Sequence, residues 1–252
     1  RETGKDVSVR HEVMGRKLIT TEKLSVKYGE KVALKPLSID IRGGEIVALM
    51  GRNGAGKSSL IKSILGVQEH SGSVRNSSSR IGYIPQDAND LLYHQTVAAE
   101  CNQTDADNKL VGGTTAKLLT LIAPNIKADS HQRDLSEGQR LALVLAIVLA
   151  PNPDILILDE PTRGLDYSSK EILIKQLIER SNSGAAILVA THDVELVAEL
   201  ASRIIILADG ELVSDGPTLD VLLASPAFAP QVAKVMSPRK WLTVSDVLKA
   251  IQ

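Results

Sequence analysis

Short apolar runs alternate with amphipathic stretches along most of the chain. Ile46-Val47-Ala48-Leu49-Met50 and the runs at 154–159, 185–190 and 203–207 lack polar alternation at their centres, the pattern of strands buried on both faces. Leu60, Ile61, Ile64 and Leu65 recur at helical spacing and stop at Gly66. Residues 140–149, 168–180 and 194–201 also read as helices. Strands alternating with helices predict an α/β domain with a parallel sheet covered on both faces. Residues 18–28 and 31–41 read as strands separated by Gly29-Glu30, and 71–74 and 80–85 add two more. From 87 to about 150 the pattern turns helical around a polar stretch at 102–108 and Gly112-Gly113, which predicts a helical lobe. Asp209-Gly210 is a hairpin signal, residues 218–223 begin a C-terminal helical appendix at 217–252, and Thr243 with Asp246 forms a capping box opening a helix at 244–251. Residues 1–17 are polar without a period and read as a tail or linker.

Composition narrows the class. Hydrophobic residues at 43% and charged residues at 23% are globular values, while aromatics at 2% leave Leu, Ile, Val and Ala to pack the core. A net charge of −1 with interspersed signs gives no electrostatic reason for a nucleic-acid partner. The single Cys101 excludes an intrachain disulfide and fits a reducing compartment. The longest apolar run, 141–150, is far shorter than the ~20 residues of a membrane span. A first residue of Arg rather than Met, with no apolar leader, predicts a fragment or a trimmed chain.

The chemistry starts at Gly51-Arg52-Asn53-Gly54-Ala55-Gly56-Lys57-Ser58, between a buried strand and a helix that continues with Ser59. G-x-x-x-x-G-K-S in that context is a P-loop. Its glycines let backbone N–H groups converge on one concavity, and the helix N-terminus adds partial positive charge. Lys57 is then placed to reach the β- and γ-phosphates and Ser58 to ligate Mg²⁺. Asp159 and Glu160 end another apolar strand, where Asp159 suits the metal shell and Glu160 suits orienting the attacking water. Gln86, just past a strand, offers a neutral amide to the metal and the water, and His192, past the strand at 185–190, offers an imidazole to the γ-phosphate. Leu135-Ser136-Glu137-Gly138-Gln139 precedes a helix, so Ser136 and Gly138 form a second anion site. His11, His70, His94 and His131 have no such placement.

The order of P-loop, Gln86, Leu135-Ser136-Glu137-Gly138-Gln139, Asp159-Glu160, Leu165-Asp166 and His192 resembles the ATP-binding cassette (ABC) ATPase set across residues 18–216. The fold implied is α/β: a RecA-like P-loop NTPase core, an antiparallel β subdomain near 18–45 and 71–84, and a helical subdomain near 87–150. The resemblance further implies ATP and Mg²⁺ as ligands, with two cassettes packed head to tail around two nucleotides. Ser136, Gly138 and Gln139 of one would face the γ-phosphate held by Lys57 of the other, and Asp166 would couple the sites. Tyr28 matches the aromatic that stacks on adenine. The family usually has Gly where Glu137 stands. A carboxylate ~6 Å from the γ-phosphate would cost about 3 kcal/mol, so Glu137 is expected to point away, towards Arg140 or Arg133.

Residues 86–97 and 160–170, with Tyr167 after Asp166, are similar to energy-coupling-factor (ECF) vitamin and metal importers, as is the tail around Phe228 and Trp241. That resemblance implies an ATPase at the cytoplasmic face of the cell membrane, peripheral to a transmembrane subunit and paired with an identical or different cassette that some members carry in the same chain. Leu91, Leu92 and Tyr93 are candidates for the groove receiving the membrane partner, or equally for the core of the helical lobe. Rival functions are a soluble ABC ATPase acting on ribosomes or DNA and a non-hydrolytic nucleotide switch.

Overall fold

The computed structural model describes residues 15–78, 80–224, 228–237, 239 and 241–251; most of the expected N-terminal tail lies outside these. The chain opens with β1 (Lys17–Tyr28), β2 (Lys31–Leu37), β3 (Asp40–Arg42), β4 (Ile46–Met50) and helix α1 (Lys57–Ile64). β5 (Ser71–Asn76) and β6 (Ile81–Ile84) lead to α2 (Val97–Asp107), α3 (Thr114–Ile122) and α4 (Glu137–Leu149). Then come β7 (Ile155–Asp159), α5 (Tyr167–Asn182), β8 (Ala186–Ala190), α6 (Val194–Leu200), β9 (Arg203–Ala208) and β10 (Glu211–Pro217). α7 (Thr218–Ala224), α8 (Gln231–Met236) and α9 (Val244–Ile251) complete it. The Thr243–Asp246 box caps the last helix: Asp246 N donates to Thr243 Oγ1 at 3.2 Å and Thr243 N to Asp246 Oδ2 at 2.9 Å.

The fold is the expected α/β one. A six-stranded sheet runs β10-β9-β4-β8-β7-β6, parallel except at the β10 edge. β4, β7 and β8 are buried at every position, as strands covered on both faces must be. One aliphatic core joins this sheet to α4 and α5 and extends under α2 and α3. A second lies between the sheet, α1 and the antiparallel strands. A third packs α6 and α7 against β4 and β9.

Two expectations change. Residues 31–41 are two strands rather than one, because Ser38 and Thr21 hydroxyls accept the amides of Lys23 and Ile39 and interrupt the ladder. The break lets β2 follow the second half of β1 while β3 follows the first. Residues 81–84 do not belong to the antiparallel sheet, which takes only β5 from that stretch: β6 is the parallel edge beside β7. Gly82 permits this, since a Cβ there would stand 2.7 Å from Val148 and 3.1 Å from Pro153. The expected Asp209-Gly210 hairpin pairs β9 with β10, a largely exposed strand with no apolar run.

Candidate functional site

β4 delivers the chain into the glycine loop, and two glycines there have no substitute. A Cβ on Gly51 would lie 2.3 Å from Leu207 O, and one on Gly56 would lie 2.7 Å from Ala33 O, at φ +104°. The loop is therefore pressed against β9 on one side and β2 on the other. Gly56 is the N-cap of α1 and has no side chain to bond the helix, so the first amides of α1 stay open to a ligand. Lys57 is buried and folds back over the loop, with Nζ donating to Gly51 O at 2.7 Å and Arg52 O at 3.5 Å. Its charge thus sits at the centre of the curl.

The carboxyl ends of β7 and β8 meet this loop from the side. Asp159 pairs with Ala190, Glu160 N donates to Ala190 O at 2.8 Å, and Thr191 N to Leu49 O at 3.2 Å. Ser58 Oγ donates to Asp159 Oδ2 at 3.4 Å. Burial, reinforced by the adjacent Glu160 charge, raises the Asp159 carboxyl above its ordinary range, and the bond from Ser58 and the charge of Lys57 oppose this. Glu160 adopts φ +50°, a sparsely allowed conformation for a non-glycine residue, at the point where the chain turns off the strand. Its Oε2 faces His192 Nδ1 at 2.8 Å and accepts from Thr191 Oγ1 at 3.4 Å. An ionised carboxylate only accepts, so the His192 contact requires the proton on Nδ1.

These groups line one cleft of about 630 Å³, bounded by Tyr28, residues 53–59, Gln86, Asp159, Glu160 and His192. Tyr28 is half exposed, and its hydroxyl donates to Gln68 Oε1 at 2.9 Å, which stands the ring beside the loop. Lys31, Ala33 and Arg163 also line the cleft and were not among the expected residues. Strand pairing brings Lys31 opposite Tyr28, and no local motif marks it. Ser58, Asp159 and Gln86 offer only oxygen and amide donors, and among the described residues no group of three or more His, Cys, Asp or Glu side chains could hold a metal. A sparse hard-donor set of this kind fits Mg²⁺, which retains waters and phosphate oxygens as ligands.

Ser136, Gly138, Gln139 and Asp166 do not line that cleft. They form a second corner. Ser136 caps α4, accepting from Gln139 N at 3.3 Å while Gln139 Oε1 accepts from Ser136 N at 3.0 Å. Asp166 caps α5, accepting from Ser169 N at 2.8 Å and Ser168 Oγ at 3.1 Å, and hydrogen bonding at Ser169 holds its carboxyl below the usual range. The two helix starts touch: a Cβ on Gly138 would lie 2.0 Å from Ser169 Oγ. Glu137 turns aside as expected, with Oε1 3.8 Å from Arg140 Nη2 and its carboxylate against Gly164. Leu92 is buried in the main core and Leu91 packs against it, so of the three groove candidates only Tyr93 projects outward. Cys101 is buried on α2, and burial, with Asp105 and Glu100 nearby, pushes its thiol up to about 11. An inert structural thiol follows.

A family model described as "ABC transporter" matches residues 34–163. A putative ABC transporter ATP-binding protein of Streptomyces coelicolor, SCO2324, is 50% identical over 241 residues, covering 90% of this chain and 43% of the relative. Another from Clostridium tetani is 34% identical, covering 85% and 52%. The chain thus spans about half or less of the length of these relatives. Among solved structures, cbiO1 from Clostridium perfringens, part of the ABC transporter complex cbiONQ, is 27% identical with a TM-score of 0.73, covering 92% of this chain and 99% of that one. The dimeric post-hydrolysis state of the ATP-binding cassette MJ0796 with ADP and Pi is 25% identical with a TM-score of 0.69, covering 79% and 98%.

Proposed function

This chain belongs to the ABC transporter family as an ATP-binding domain, and from that premise we propose that it hydrolyses ATP with Mg²⁺ and so powers uptake of a small solute, a vitamin or a metal ion, through a separate membrane subunit. It works against a second cassette at the cytoplasmic face of the membrane. The observation that carries the reading is the split between the two corners: the cleft holds Lys57, Ser58, Asp159, Glu160 and His192, whereas Ser136, Gly138 and Asp166 lie off it. A triphosphate bound at the first corner keeps a face for a second corner supplied by another cassette. Relatives about twice as long as this chain have room for such a cassette in the same polypeptide. The kinship with cbiO1 supports an importer of the ECF type.

In this reading Lys57 and the first amides of α1 bind the β- and γ-phosphates, and Tyr28 stacks on the base. Ser58, Asp159 and Gln86 would hold Mg²⁺, which would supply neutralisation of phosphate charge. Glu160 orients the attacking water and draws its proton, while His192 and Thr191 fix the carboxylate. Most of the acceleration comes from positioning and charge, since phosphoryl transfer asks little covalent work of the protein. Glu160→Gln is the test. Phosphate release should fall about a thousandfold while ATP binding persists and a closed cassette pair accumulates. Retained hydrolysis would remove Glu160 from the role.

A further inference from the structure

Behind the Glu160–His192 pair stands a set of polar contacts that does not line the cleft. Asp166, the N-cap of α5, lies one turn before Lys170, whose N–H donates to Asp166 O at 3.1 Å. Lys170 Nζ donates to Asp193 Oδ2 at 2.6 Å, and both side chains are partly buried. Asp193 holds the turn after β8 in two further ways. Its Oδ1 accepts from Leu196 N at 3.1 Å, capping α6, and its own N–H donates to Thr191 Oγ1 at 3.1 Å. Thr191 in turn donates to Glu160 Oε2, the oxygen that faces His192 Nδ1. Bonds therefore run without a gap from Asp166, at the second corner, to the carboxylate in the first.

Charge makes the link specific. Glu171, Asp193 and Glu195 surround Glu199, and burial with their charges raises its carboxyl, which Lys170 partly relieves. Lys170 thus places a positive charge within an acidic cluster between α5 and α6. A charge-assisted hydrogen bond of this kind is roughly twice as strong as a neutral one, so it holds Lys170 and Asp193 in one geometry.

We propose that Lys170 and Asp193 are positioning residues that tie the location of α5 to the placement of His192 and Glu160, so that contact of a second cassette at Asp166 is felt at the water-activating carboxylate. The inference rests on the roles given above to Glu160, His192 and Asp166. Contiguity alone does not establish coupling, so the test measures it.

Steady-state phosphate release and titration with a fluorescent ATP analogue would be run on the full-length protein carrying Lys170→Met, Lys170→Arg, Asp193→Asn or the Met/Asn double change. Asn still caps α6, which keeps that helix start intact. Lys170→Met should lower kcat about tenfold with nucleotide affinity within about twofold, and Lys170→Arg should restore most of the rate. The double variant should be no slower than the slower single one, because both break the same link. An unchanged kcat in Lys170→Met, additive losses, or a parallel loss of nucleotide affinity would each overturn the proposal. Glu160→Gln serves as the control: if it is inert while Lys170→Met runs at the full rate, only the link fails. If Glu160→Gln still hydrolyses ATP, the functional reading itself fails.

Discussion

At the start of α1 the N-cap is Gly56, with no side-chain bond to the helix; at the start of α4 it is Ser136, locked to Gln139 by bonds in both directions. Both starts have the hydroxyls and glycines from which anion sites are made. The first leaves its amides open and folds Lys57 over them. The second satisfies the Gln139 amide within the chain, leaving the amides of Glu137 and Gly138 and the Ser136 hydroxyl proton to face outward. In the proposed reading, the first corner encloses a ligand held by this chain, and the second is a capped helix start that meets the ligand of another cassette.

The contrast breaks most visibly at Lys57. Lys57→Ala removes the charge at the centre of the open corner, and nucleotide affinity should drop about a hundredfold, the ~3 kcal/mol of a charged hydrogen bond. Unchanged binding in a nucleotide titration would count against the whole scheme. A smaller effect follows from Gly138→Ala, because the new methyl would stand 2.0 Å from Ser169 Oγ, which must rotate away, and 3.1 Å from Ser169 Cβ, so the packing of α4 on α5 has to adjust. Stability should fall by about 1–3 kcal/mol and turnover about tenfold, with nucleotide affinity at the cleft preserved. Ser169→Ala in the same chain should recover part of the loss. If affinity falls along with turnover, the two corners are not separate. Smallest of all is Glu137→Gly. With its carboxylate already turned to Gly164 and Arg140, ATPase activity should stay within about threefold, whereas a thousandfold gain would show that the charge blocks the site.

The P-loop could be read from residues 51–58 because its geometry is local: a strand, glycines that permit close approach, and a lysine at the first position of a helix. Asp159 and Glu160 were legible as the end of an apolar strand, and Ser136 and Gly138 as the start of a helix. Lys31 and Arg163 were not. Each enters the cleft through pairing or a turn with no recurring spacing of its own. The edge strand β6 was assigned to the wrong sheet for the same reason, since alternation describes a strand and says nothing of its neighbour. The link from Lys170 to Asp193 joins residues on different helices, and sequence order alone does not bring them together.

Apolar period, glycine placement and one lysine were enough to specify a phosphate-binding α/β domain, because those features act over a few neighbouring residues. Which strands lie side by side, which acids share the cleft, and which helix start faces away from it depended on long-range pairing. There the energy lies in contacts between segments distant in sequence, such as Ile46 beside Ile187, and adjacency in space leaves no mark on adjacency in the chain.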